Sequence, residues 1–570
     1  MTTGPEALAA SLYTDLDLPA PLESLLGDPD DTGNPLGFAA FLAADERGDL
    51  LSTGERALDS YGLGAEFVPV ALGGRLRQAD HLARVLRPLF RRDVALGLGH
   101  GAGNLAGSVH VWSSGSSRQR RRLADVLLRN GRIAAGPTDP SGGSTRSGLI
   151  ARGRGGRLVL DGRQEMISNI ARAEAVTVLA RTGDGPGGCS LLLLDMADVP
   201  RDRLRFLPRH RTNGARAMYL GGVEFQDCPV PESALTGDAG GATGTVLRAS
   251  QVTRAVLPAA AVGTLDQQLR TVMDFATERR LYGRVITELP HTRSVLTGAF
   301  LDLLIADCFA TTVCRSLHVL PGPAGVYAAA VKQLVPLLMR DTVDALSVVL
   351  GARSFLREGP QGGFQKHLRD LPLVSLEYAG GTVCQAALIP QLPRMADGWL
   401  SDDGAPDELF RVSHALPDLD LERLSGPVGR RDPLLAVLTE TAPELRTDPV
   451  LGPLCRQLTG ELGRLRQQCL ELRPGDAGTP AGPAAFVLAE RYAILLAAAA
   501  CLGVWRHNGD NPSAFLRDTG WTAGVLSRLA ARLGCPPVPG AEAAQDAVFA
   551  ELAERHRTHR GFDLTGRQLA

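Results

Sequence analysis

A single carboxylate, Glu377, stands between an apolar run and a glycine pair in the stretch RDLPLVSLEYAGGT, residues 369–382. A carboxylate inside a pocket can act as a base, because burial raises its pKa toward the working pH of an enzyme. A carboxylate beside a surface turn is usually solvated and does no chemistry. The stretch taken alone favours the solvated interpretation, so the catalytic one depends on the rest of the chain.

A glycine-rich loop offers a second kind of chemistry, the binding of a flat ligand. In GPTDPSGGS (136–144), Thr138 and Ser144 bracket a proline and two glycines. Glycine lets the backbone approach a ligand closely, and hydroxyl groups supply hydrogen-bond donors and acceptors without charge. A plain surface loop has the same composition, so this loop becomes informative only together with other stretches.

Three further stretches follow the loop, and each places polar or basic residues at the end of an expected strand or helix. They are MISN (166–169), FQDCPVP (225–231) and ERRLYG (278–283). Each is weak evidence alone, whereas their order and separation along the chain are much more specific.

The elements that must position these groups change character along the chain. Residues 36–135 repeat apolar residues at spacings of three and four, which predicts helices. From 136 to 235, short β-branched and leucine runs are separated by Gly and Asp turns, which predicts hairpins. Residues 240–395 and 430–558 again show wide apolar helical stripes, typical of helices packed in a bundle.

We therefore expect a mostly α-helical protein with a small central antiparallel β domain. The predicted domains are an N-terminal helical domain (1–135), the β domain (136–236), a helical bundle (237–395) and a C-terminal helical extension (396–570). Strands and helices do not alternate, which argues against a doubly wound sheet. The stretch GLGHGAG (97–103) fits a dinucleotide fingerprint but follows a helical segment, so we expect no nicotinamide site there.

Composition excludes several classes of function. The net charge is −2, so no overall field attracts nucleic acid or an anionic membrane. The nine cysteines are scattered without C-x-x-C or metal-ligand spacing, and no signal peptide opens the chain, so we expect reduced thiols, no metal and a cytoplasmic location. The apolar stretch 486–505 contains Glu490 and Arg491, and we predict a buried helix rather than a membrane span.

The ordered stretches resemble the acyl-CoA dehydrogenase superfamily. In that family a helical domain precedes a β domain that opens with L-T-E-P-x-x-G-S, and the motifs W-I-T-N, F-x-x-V-x-V-P and E-R-x-Q-F-G follow. The counterparts here are PTDPSGGS, MISN, FQDCPVP and ERRLYG. The resemblance covers residues 36–395, and the extension is similar to the extra helical domain of acyl-CoA oxidases and very-long-chain dehydrogenases.

The resemblance implies FAD as the cofactor and assigns β-domain residues to it. Thr138 matches the motif threonine that contacts the flavin ring, and Ser144 matches the motif serine near the flavin or the phosphate arm of the acyl carrier. Ser168 matches the threonine of W-I-T-N, a donor at the N5/O4 edge of the flavin. Met166 replaces the tryptophan that flanks the ring; it is apolar and adaptable but cannot stack in the same way.

Three positions in the helical bundle complete the implied cofactor site. Arg279 matches the arginine that reaches the FAD of a neighbouring subunit, and its charge suits a pyrophosphate. Tyr282 stands at the aromatic position of the same motif. Gly351, in VVLGARSF, is the one residue that matches the family's Q-x-x-G-G motif. We therefore expect altered contacts between one subunit and the FAD of its neighbour.

The family's catalytic base lies in R-D-x-x-x-x-x-I-Y-E-G-T, which resembles residues 369–382, but the register differs. Counting forward from the Arg-Asp pair places the base at Tyr378, and counting back from Gln385 places it at Ala379. Glu377 is therefore one or two positions early. Either a one-residue bulge turns Glu377 into the pocket, or the base is lost and the reaction has changed.

Some relatives keep their base elsewhere, on the helix that opens the bundle. The matching position here is Thr253, which offers no carboxylate. Glu377, with Tyr378 beside it, is thus the candidate catalytic group.

The resemblance implies an FAD-dependent dehydrogenase or oxidase that forms an α,β double bond in an acyl thioester, carried on CoA or on an acyl carrier protein. Electrons would pass to a flavoprotein or to O₂, and the chain would form a homo-oligomer, with the extension favouring dimers over tetramers. Two alternatives stay open: a flavin-dependent monooxygenase on the same fold, and a catalytically silent partner subunit.

Overall fold

The structure is a computed structural model of the 570-residue chain. It describes residues 18–136, 148–184, 188–376, 380–399, 404–425, 429–473, 481–511 and 513–570. Four of the predicted site residues, Thr138, Ser144, Glu377 and Tyr378, lie outside these ranges. Within them, helices form both ends of the chain and strands occupy a central region, as predicted.

Seven α-helices precede the first strand in the described ranges. They are α1 (Ala20–Leu26), α2 (Phe38–Arg47), α3 (Ser52–Tyr61), α4 (Ala79–Arg92), α5 (Val94–Leu96), α6 (Leu105–Ser114) and α7 (Ser117–Leu128). The GLGHGAG stretch forms a π-helical turn, Gly97–Gly101, and a Cβ atom on Gly97 would lie 2.8 Å from the Phe90 ring. These glycines allow close packing, and no strand leads into them.

In the described residues, the β domain contains eight strands. They are β1 (Ile133–Gly136), β2 (Leu149–Arg154), β3 (Arg157–Ser168), β4 (Ala175–Arg181), β5 (Cys189–Asp195), β6 (Leu204–Leu207), β7 (Leu220–Pro231) and β8 (Leu235–Thr236). The sheet order is β6-β7-β3-β2-β4-β5-β8, and β1 pairs with β4. The predicted hairpins β2–β3 and β4–β5 are confirmed.

Two pairings in this sheet run parallel, which the sequence patterns did not indicate. Strand β4 pairs parallel with β1 and with β2, while the other pairs are antiparallel. Only strands joined by a short turn must run antiparallel. Long connections separate β4 from β1 and from β2, so nothing local fixes their direction.

The helical bundle follows the sheet. Its helices are α8 (Ala242–Glu278), α9 (Pro290–Val319), α10 (Ala324–Leu350), α11 (Gly362–Asp370), α12 (Pro372–Leu376), α13 (Gly381–Leu388) and α14 (Leu392–Ala396). A small hairpin of β9 (Arg280–Leu281) and β10 (Arg284–Val285) joins α8 to α9. The three long helices pack on one another, and α4 packs on α8, so the bundle and the N-terminal helices share one core.

The C-terminal extension is also helical. Its helices are α15 (Pro433–Glu444), α16 (Leu451–Leu470), α17 (Pro483–His507), α18 (Ala514–Arg517), α19 (Thr519–Arg532) and α20 (Ala544–Arg557). Helix α17 packs against α9 and α10. The buried Asp432 accepts hydrogen bonds from Tyr327 of α10 at 2.7 Å and Tyr492 of α17 at 2.6 Å, which joins the extension to the bundle.

Two helices, Pro290–Val319 and Pro483–His507, are long and apolar enough to cross a membrane by length and composition alone. Most of each apolar segment is buried inside the protein, as in the core helix of many globular proteins. The second helix contains the stretch 486–505, for which a buried helix was predicted. Eight of the nine cysteines are buried, and Cys535 is half-buried.

Candidate functional site

The end of strand β3 carries a distortion at the position of Met166. The pairing of β3 with β7 shifts register between Glu165 and Ile167, so Met166 is an extra residue, a β-bulge. Its backbone is left-handed, with φ of 60°, and its side chain is 50% exposed. The bulge therefore turns a large apolar side chain out of the β-domain core.

Strained backbone continues on both sides of this strand end. Asn169, Ala215 and Tyr219 also have positive φ values, of 57°, 45° and 50°. The Asn169 N–H donates to the carbonyl of Tyr219 at 3.2 Å, and its side chain donates to the carbonyl of Gly99 at 2.5 Å. Non-glycine residues in this conformation cost free energy and tend to cluster at functional sites. Here they converge around Ser168.

Ser168 is half-buried between these strained residues. Its hydroxyl forms no hydrogen bond with any residue that the structure describes. A half-buried hydroxyl can donate to a ligand and accept from one. The strand end thus offers an unpaired hydroxyl beside an accessible apolar side chain, which matches the roles predicted for Ser168 and Met166 but does not test them.

The loop that faces the strand end is tied to the helical bundle through Asp370. Its carboxylate accepts from the backbone N–H of Ala215 at 2.7 Å. Gly214 packs closely here, because an added Cβ atom would lie 2.7 Å from the same carboxylate. Asp370 belongs to the Arg-Asp pair that opens RDLPLVSLEYAGGT, so the motif of the candidate base reaches the β domain directly.

A buried cluster of charged side chains fixes Asp370. Lys366 contacts Asp370 at 2.7 Å and also pairs with Asp93, and Arg369 bridges Asp370 at 2.9 Å and Asp45 at 2.8 Å. Burial alone would raise the pKa of Asp370, but the Lys366 ammonium and the Arg369 guanidinium hold it below its usual range. The cluster joins helices α2 and α11 and the residue before α5.

Helix α3 holds the turn that follows Asn169. Glu55 accepts from Arg172 at 2.5 Å and from Arg132 at 2.9 Å, and the His100 ring lies 3.4 Å from the same carboxylate oxygen. Burial alone would raise the pKa of Glu55, but the hydrogen bonds from His100 and Arg172 outweigh it and lower the pKa to about 2. The Arg172 guanidinium also stacks 4.8 Å from the centre of the Tyr219 ring.

A second group of predicted residues lies at the far ends of α8 and α10. Arg279 follows α8, is exposed, and has no carboxylate within ion-pair distance in the described chain. Tyr282 is 93% exposed at the tip of the β9–β10 hairpin, and Gly351 ends α10 with φ of 60°. Arg353 stacks 5.1 Å from the Phe275 ring, which brings the two helix ends together.

The described residues around the second candidate base position are also informative. Thr253 is buried, and its hydroxyl donates to the carbonyl of Ser250 at 3.3 Å. This position is therefore filled by a neutral group that is bonded within its own helix. Glu377 and Tyr378 stand between α12 and α13, outside the described residues.

Sequence reasoning missed the residues that hold the site together. Lys366, Asp45, Asp93 and Glu55 were not identified from the sequence, and the Arg-Asp pair served only as a counting reference. One signal was available, because the chain contains only two lysines and Lys366 is one of them. In a chain that otherwise uses arginine for positive charge, a lysine indicates a position that requires a compact ammonium group.

Comparisons with known proteins agree with the ordered motifs. The family model described as acyl-CoA dehydrogenase, C-terminal domain, matches residues 243–387. The probable acyl-CoA dehydrogenase FadE25 of Mycobacterium tuberculosis is 22% identical over 302 residues, covering 52% of this chain and 77% of that protein.

Solved structures share the fold. An acyl-CoA dehydrogenase complexed with FAD from Bacillus anthracis superposes with a TM-score of 0.71 at 15% identity, covering 97% of this chain and 96% of that chain. The prolyl acyl carrier protein oxidase AnaB superposes with a TM-score of 0.57 at 15% identity, covering 68% of this chain and 98% of that chain. The first match extends through the C-terminal extension.

The fold is that of the acyl-CoA dehydrogenases, with a helical extension, and the predicted fold class is confirmed. The sequence matches, at 22% identity and with the family model over residues 243–387, agree with the resemblance to the acyl-CoA dehydrogenase superfamily.

Proposed function

We propose that this protein is an FAD-dependent dehydrogenase or oxidase that introduces an α,β double bond into an acyl thioester. The observation that carries the proposal is the contact between Asp370 and Ala215. Through this contact the Arg-Asp end of the motif meets the loop before β7, which is hydrogen-bonded to Asn169 beside Ser168 and so supports the proposal. In the proposed reaction, the motif of the candidate base removes the proton, and the strand end helps to bind the flavin that accepts the hydride.

The described residues fit FAD in three respects. The Ser168 hydroxyl is half-buried and unpaired among described residues, and the bulged Met166 leaves an accessible apolar surface beside it. Arg279 presents an exposed guanidinium with no ion-pair partner in the described part of the chain, which suits a phosphate group. Bound FAD would accept the β-hydride of the substrate at N5. Thr138 and Ser144 are proposed contacts from the loop that opens the β domain.

Glu377 is the proposed base for the α-proton. The alternative position, Thr253, is a neutral buried hydroxyl, so no carboxylate is available there. Glu377 directly follows α12 in the sequence. Helix α11, which precedes α12, is anchored to the β domain by the hydrogen bond between Asp370 and Ala215. General base catalysis first requires a base within hydrogen-bond reach of the proton, and an anchored helix earlier in the same motif supports this role for Glu377. Tyr378 is the neighbouring proposed site residue.

The proposed homo-oligomer is a dimer in which Arg279 acts across the interface. Large apolar side chains are exposed around the ends of α8 and α10: Leu281, Tyr282, Val348, Phe355 and Leu356. Clusters of exposed apolar side chains mark interaction surfaces. A second copy of this chain would cover this face and bring Arg279, Tyr282 and Gly351 toward the partner's FAD.

The carrier of the acyl group is CoA or an acyl carrier protein, and the electron acceptor is a flavoprotein or O₂. The solved structures that share this fold include a prolyl acyl carrier protein oxidase as well as an acyl-CoA dehydrogenase, which supports either carrier. The proposed location is the cytoplasm. The carrier is identified by comparing the rates at which an acyl-CoA and the same acyl group on an acyl carrier protein reduce the bound flavin.

The replacement Glu377→Gln tests the proposed base. General base catalysis contributes about 10²- to 10⁴-fold, so anaerobic flavin reduction by the thioester should slow by at least about 100-fold while FAD stays bound. Glu358→Gln, at an exposed glutamate in the same region, is the matched control and should react like the wild type.

An undiminished rate in Glu377→Gln would remove Glu377 as the base. A wild-type protein that reacts only when reduced flavin and O₂ are supplied would instead support the monooxygenase alternative. A protein that binds no FAD would contradict the proposed function.

A further inference from the structure

A cavity of about 350 Å³ lies between helix α7 and the edge of the β domain. Arg118 and Arg121 of α7 line one wall, and the turn Glu232–Ala234 after β7 contributes to another. The floor is apolar, because the buried side chains of Leu194 and Val230 face the cavity. None of its described lining residues was assigned above to FAD or to the candidate base.

Two sets of contacts hold α7 beside the cavity. The Gln119 side chain donates to the carbonyls of Ser233 at 3.1 Å and Leu235 at 3.0 Å. Arg122, one turn further along α7, pairs with Asp195 of β5 at 2.7 Å. Helix and sheet are therefore joined on both sides of the cavity, which gives it a fixed frame.

Charge is separated along the cavity. At one end, Arg122 lies among three carboxylates that hold its pKa above the usual value: Asp195, Asp198 and Asp125. At the other end, Arg118 and Arg121 are exposed, and neither has an ion-pair partner in the ranges that the structure describes. The positive end of the α7 dipole adds to their charge. The cavity thus has an acidic end and a basic end.

The β2–β3 hairpin adds two guanidinium groups at the basic end. Arg154 and Arg157 pair across the strands, on either side of the turn Gly155-Gly156. Arg157 also pairs with Pro231 of β7, which lines the cavity next to the turn that Gln119 binds. Directly paired residues place their side chains on the same face of a sheet. The hairpin arginines therefore extend the basic end.

Nothing within the described fold compensates the charges of this hairpin tip. Like charges that stand directly opposite each other in a sheet are destabilising. Arg154 and Arg157 are exposed, and no described residue forms an ion pair with either. The chain as a whole has a net charge of −2, so an overall excess of positive charge does not explain them. We call Arg118, Arg121, Arg154 and Arg157 the basic surface.

We propose that the basic surface docks an acidic protein, whose carboxylates bind the four arginines and whose apolar side chain enters the cavity. Guanidinium groups bind carboxylates through charge-assisted hydrogen bonds, and complementary charge selects the partner. A nucleic acid fits less well, because the three carboxylates around Arg122 would repel its continuous phosphate backbone. The apolar floor suits a protein side chain.

The acidic protein that the proposed function offers is an acyl carrier protein, and this identification rests on that function. Acyl carrier proteins are small acidic proteins, so their surface carboxylates complement the basic surface. CoA presents no protein surface to such a site. The basic surface therefore favours an acyl carrier protein over CoA as the carrier of the acyl group.

The test is the binding of a labelled holo acyl carrier protein that bears no acyl group, followed by fluorescence anisotropy. Arg118→Glu with Arg121→Glu, and separately Arg154→Glu with Arg157→Glu, should each weaken the affinity by about tenfold or more. Each pair replaces two attractions by two repulsions. Raising the salt from about 50 mM to about 300 mM should weaken wild-type binding and reduce the difference from the variants, because salt screens exposed charges.

Arg446→Glu with Arg456→Glu is the matched control in the C-terminal extension. Both arginines are exposed and have no ion-pair partner among the described residues, so the control makes the same change of charge elsewhere. It should keep the wild-type affinity. A wild type that does not bind the carrier protein, arginine variants that bind it normally, or an equal loss in the control would overturn the proposal.

A further variant tests the cavity itself. Ser233→Trp places a large side chain at an exposed position on the cavity wall and should weaken the affinity by about tenfold. Wild-type affinity in this variant would refute the apolar contact. A single-stranded DNA oligonucleotide or phosphatidylserine vesicles that bind the basic surface more tightly than the carrier protein would refute the protein partner.

Flavin reduction separates this inference from the proposed function. A protein whose flavin acyl-CoA reduces, but which does not bind the carrier protein, would refute the docking surface alone. Carrier binding that the arginine variants weaken, in a protein whose flavin no thioester reduces, would confirm the docking surface and refute the proposed reaction.

Discussion

At the scale of single residues, the candidate site rests on two side chains beside strained backbone, Ser168 and Met166. The Ser168 hydroxyl has no hydrogen-bond partner among the described residues, and Met166 keeps half of its surface accessible because it is the extra residue of the bulge. Backbone strain costs free energy that the fold must supply elsewhere. Two substitutions measure whether that cost is linked to ligand binding.

Ser168→Ala should weaken FAD binding by about 3- to 10-fold, because it would remove the neutral hydrogen bond that we propose between Ser168 and the flavin. The dissociation constant is measured from the quenching of FAD fluorescence. Ser168→Thr restores the hydroxyl and should bind like the wild type. Equal affinity in the Ala and Thr variants would show that the hydroxyl does not contact FAD.

Met166→Gly should stabilise the protein by about 1 kcal/mol in urea unfolding, because glycine adopts a φ of 60° without strain. Met166→Ala removes the same side chain but keeps the strain, so it should show no such gain. Both variants should bind FAD less tightly than the wild type. A glycine variant less stable than the alanine variant would refute the strain at this position.

At the scale of elements, the sequence indicated local structure well and contacts between distant elements poorly. The β2–β3 and β4–β5 hairpins were predictable because their turn residues are adjacent in sequence. The pair between Arg369 and Asp45 joins positions 324 residues apart, and no local pattern could reveal it. The domain boundaries and the assigned FAD contacts therefore stay predictions, whereas the fold class is confirmed.

The contacts of Glu55 with Arg172, Arg132 and His100 predict a dependence of stability on pH. Its pKa is lowered from the ordinary value of 4.5 to about 2 in the folded protein. Its contribution is therefore complete above pH 4.5 and is lost as the pH falls toward 2. Glu55→Gln should lower the free energy of unfolding by on the order of 2 kcal/mol at pH 7, and the difference from the wild type should shrink below pH 4.5.

Urea unfolding at a series of pH values makes this measurement. Glu46→Gln is the control, because Glu46 forms an exposed pair with Arg357, and such pairs contribute about 0–1 kcal/mol. If the difference in the free energy of unfolding between Glu55→Gln and the wild type grew as the pH fell, these contacts would not be the stabilising ones.

At the scale of the whole molecule, the C-terminal extension is part of the main core. The tail residue Asp563 pairs with Arg87 of α4 at 2.9 Å, and Asp307 of α9 pairs with the same guanidinium. Arg87, Asp307 and Asp563 are all buried. The extension, with residues 558–570 that follow α20, covers α9 and α10 on one side. The exposed apolar side chains at the ends of α8 and α10 stay accessible for the proposed dimer.

Tyr282→Asp combined with Phe355→Asp should convert a dimer to a monomer, because it places two charges at side chains that are 93% and 84% exposed in the single chain. Size-exclusion chromatography with light scattering measures the mass. Leu470→Asp, on the exposed surface of the extension, is the control and should stay dimeric. A double variant that keeps the dimer mass would place the interface elsewhere.

Anaerobic titration of the purified protein with an acyl thioester, followed in the visible flavin bands, tests the central claim most directly. We predict that the protein carries FAD and that a saturated acyl thioester bleaches it to the reduced form, yielding the α,β-unsaturated thioester. A protein without flavin absorption, or bound flavin that neither acyl-CoA nor acyl carrier protein thioesters reduce, would contradict the claim.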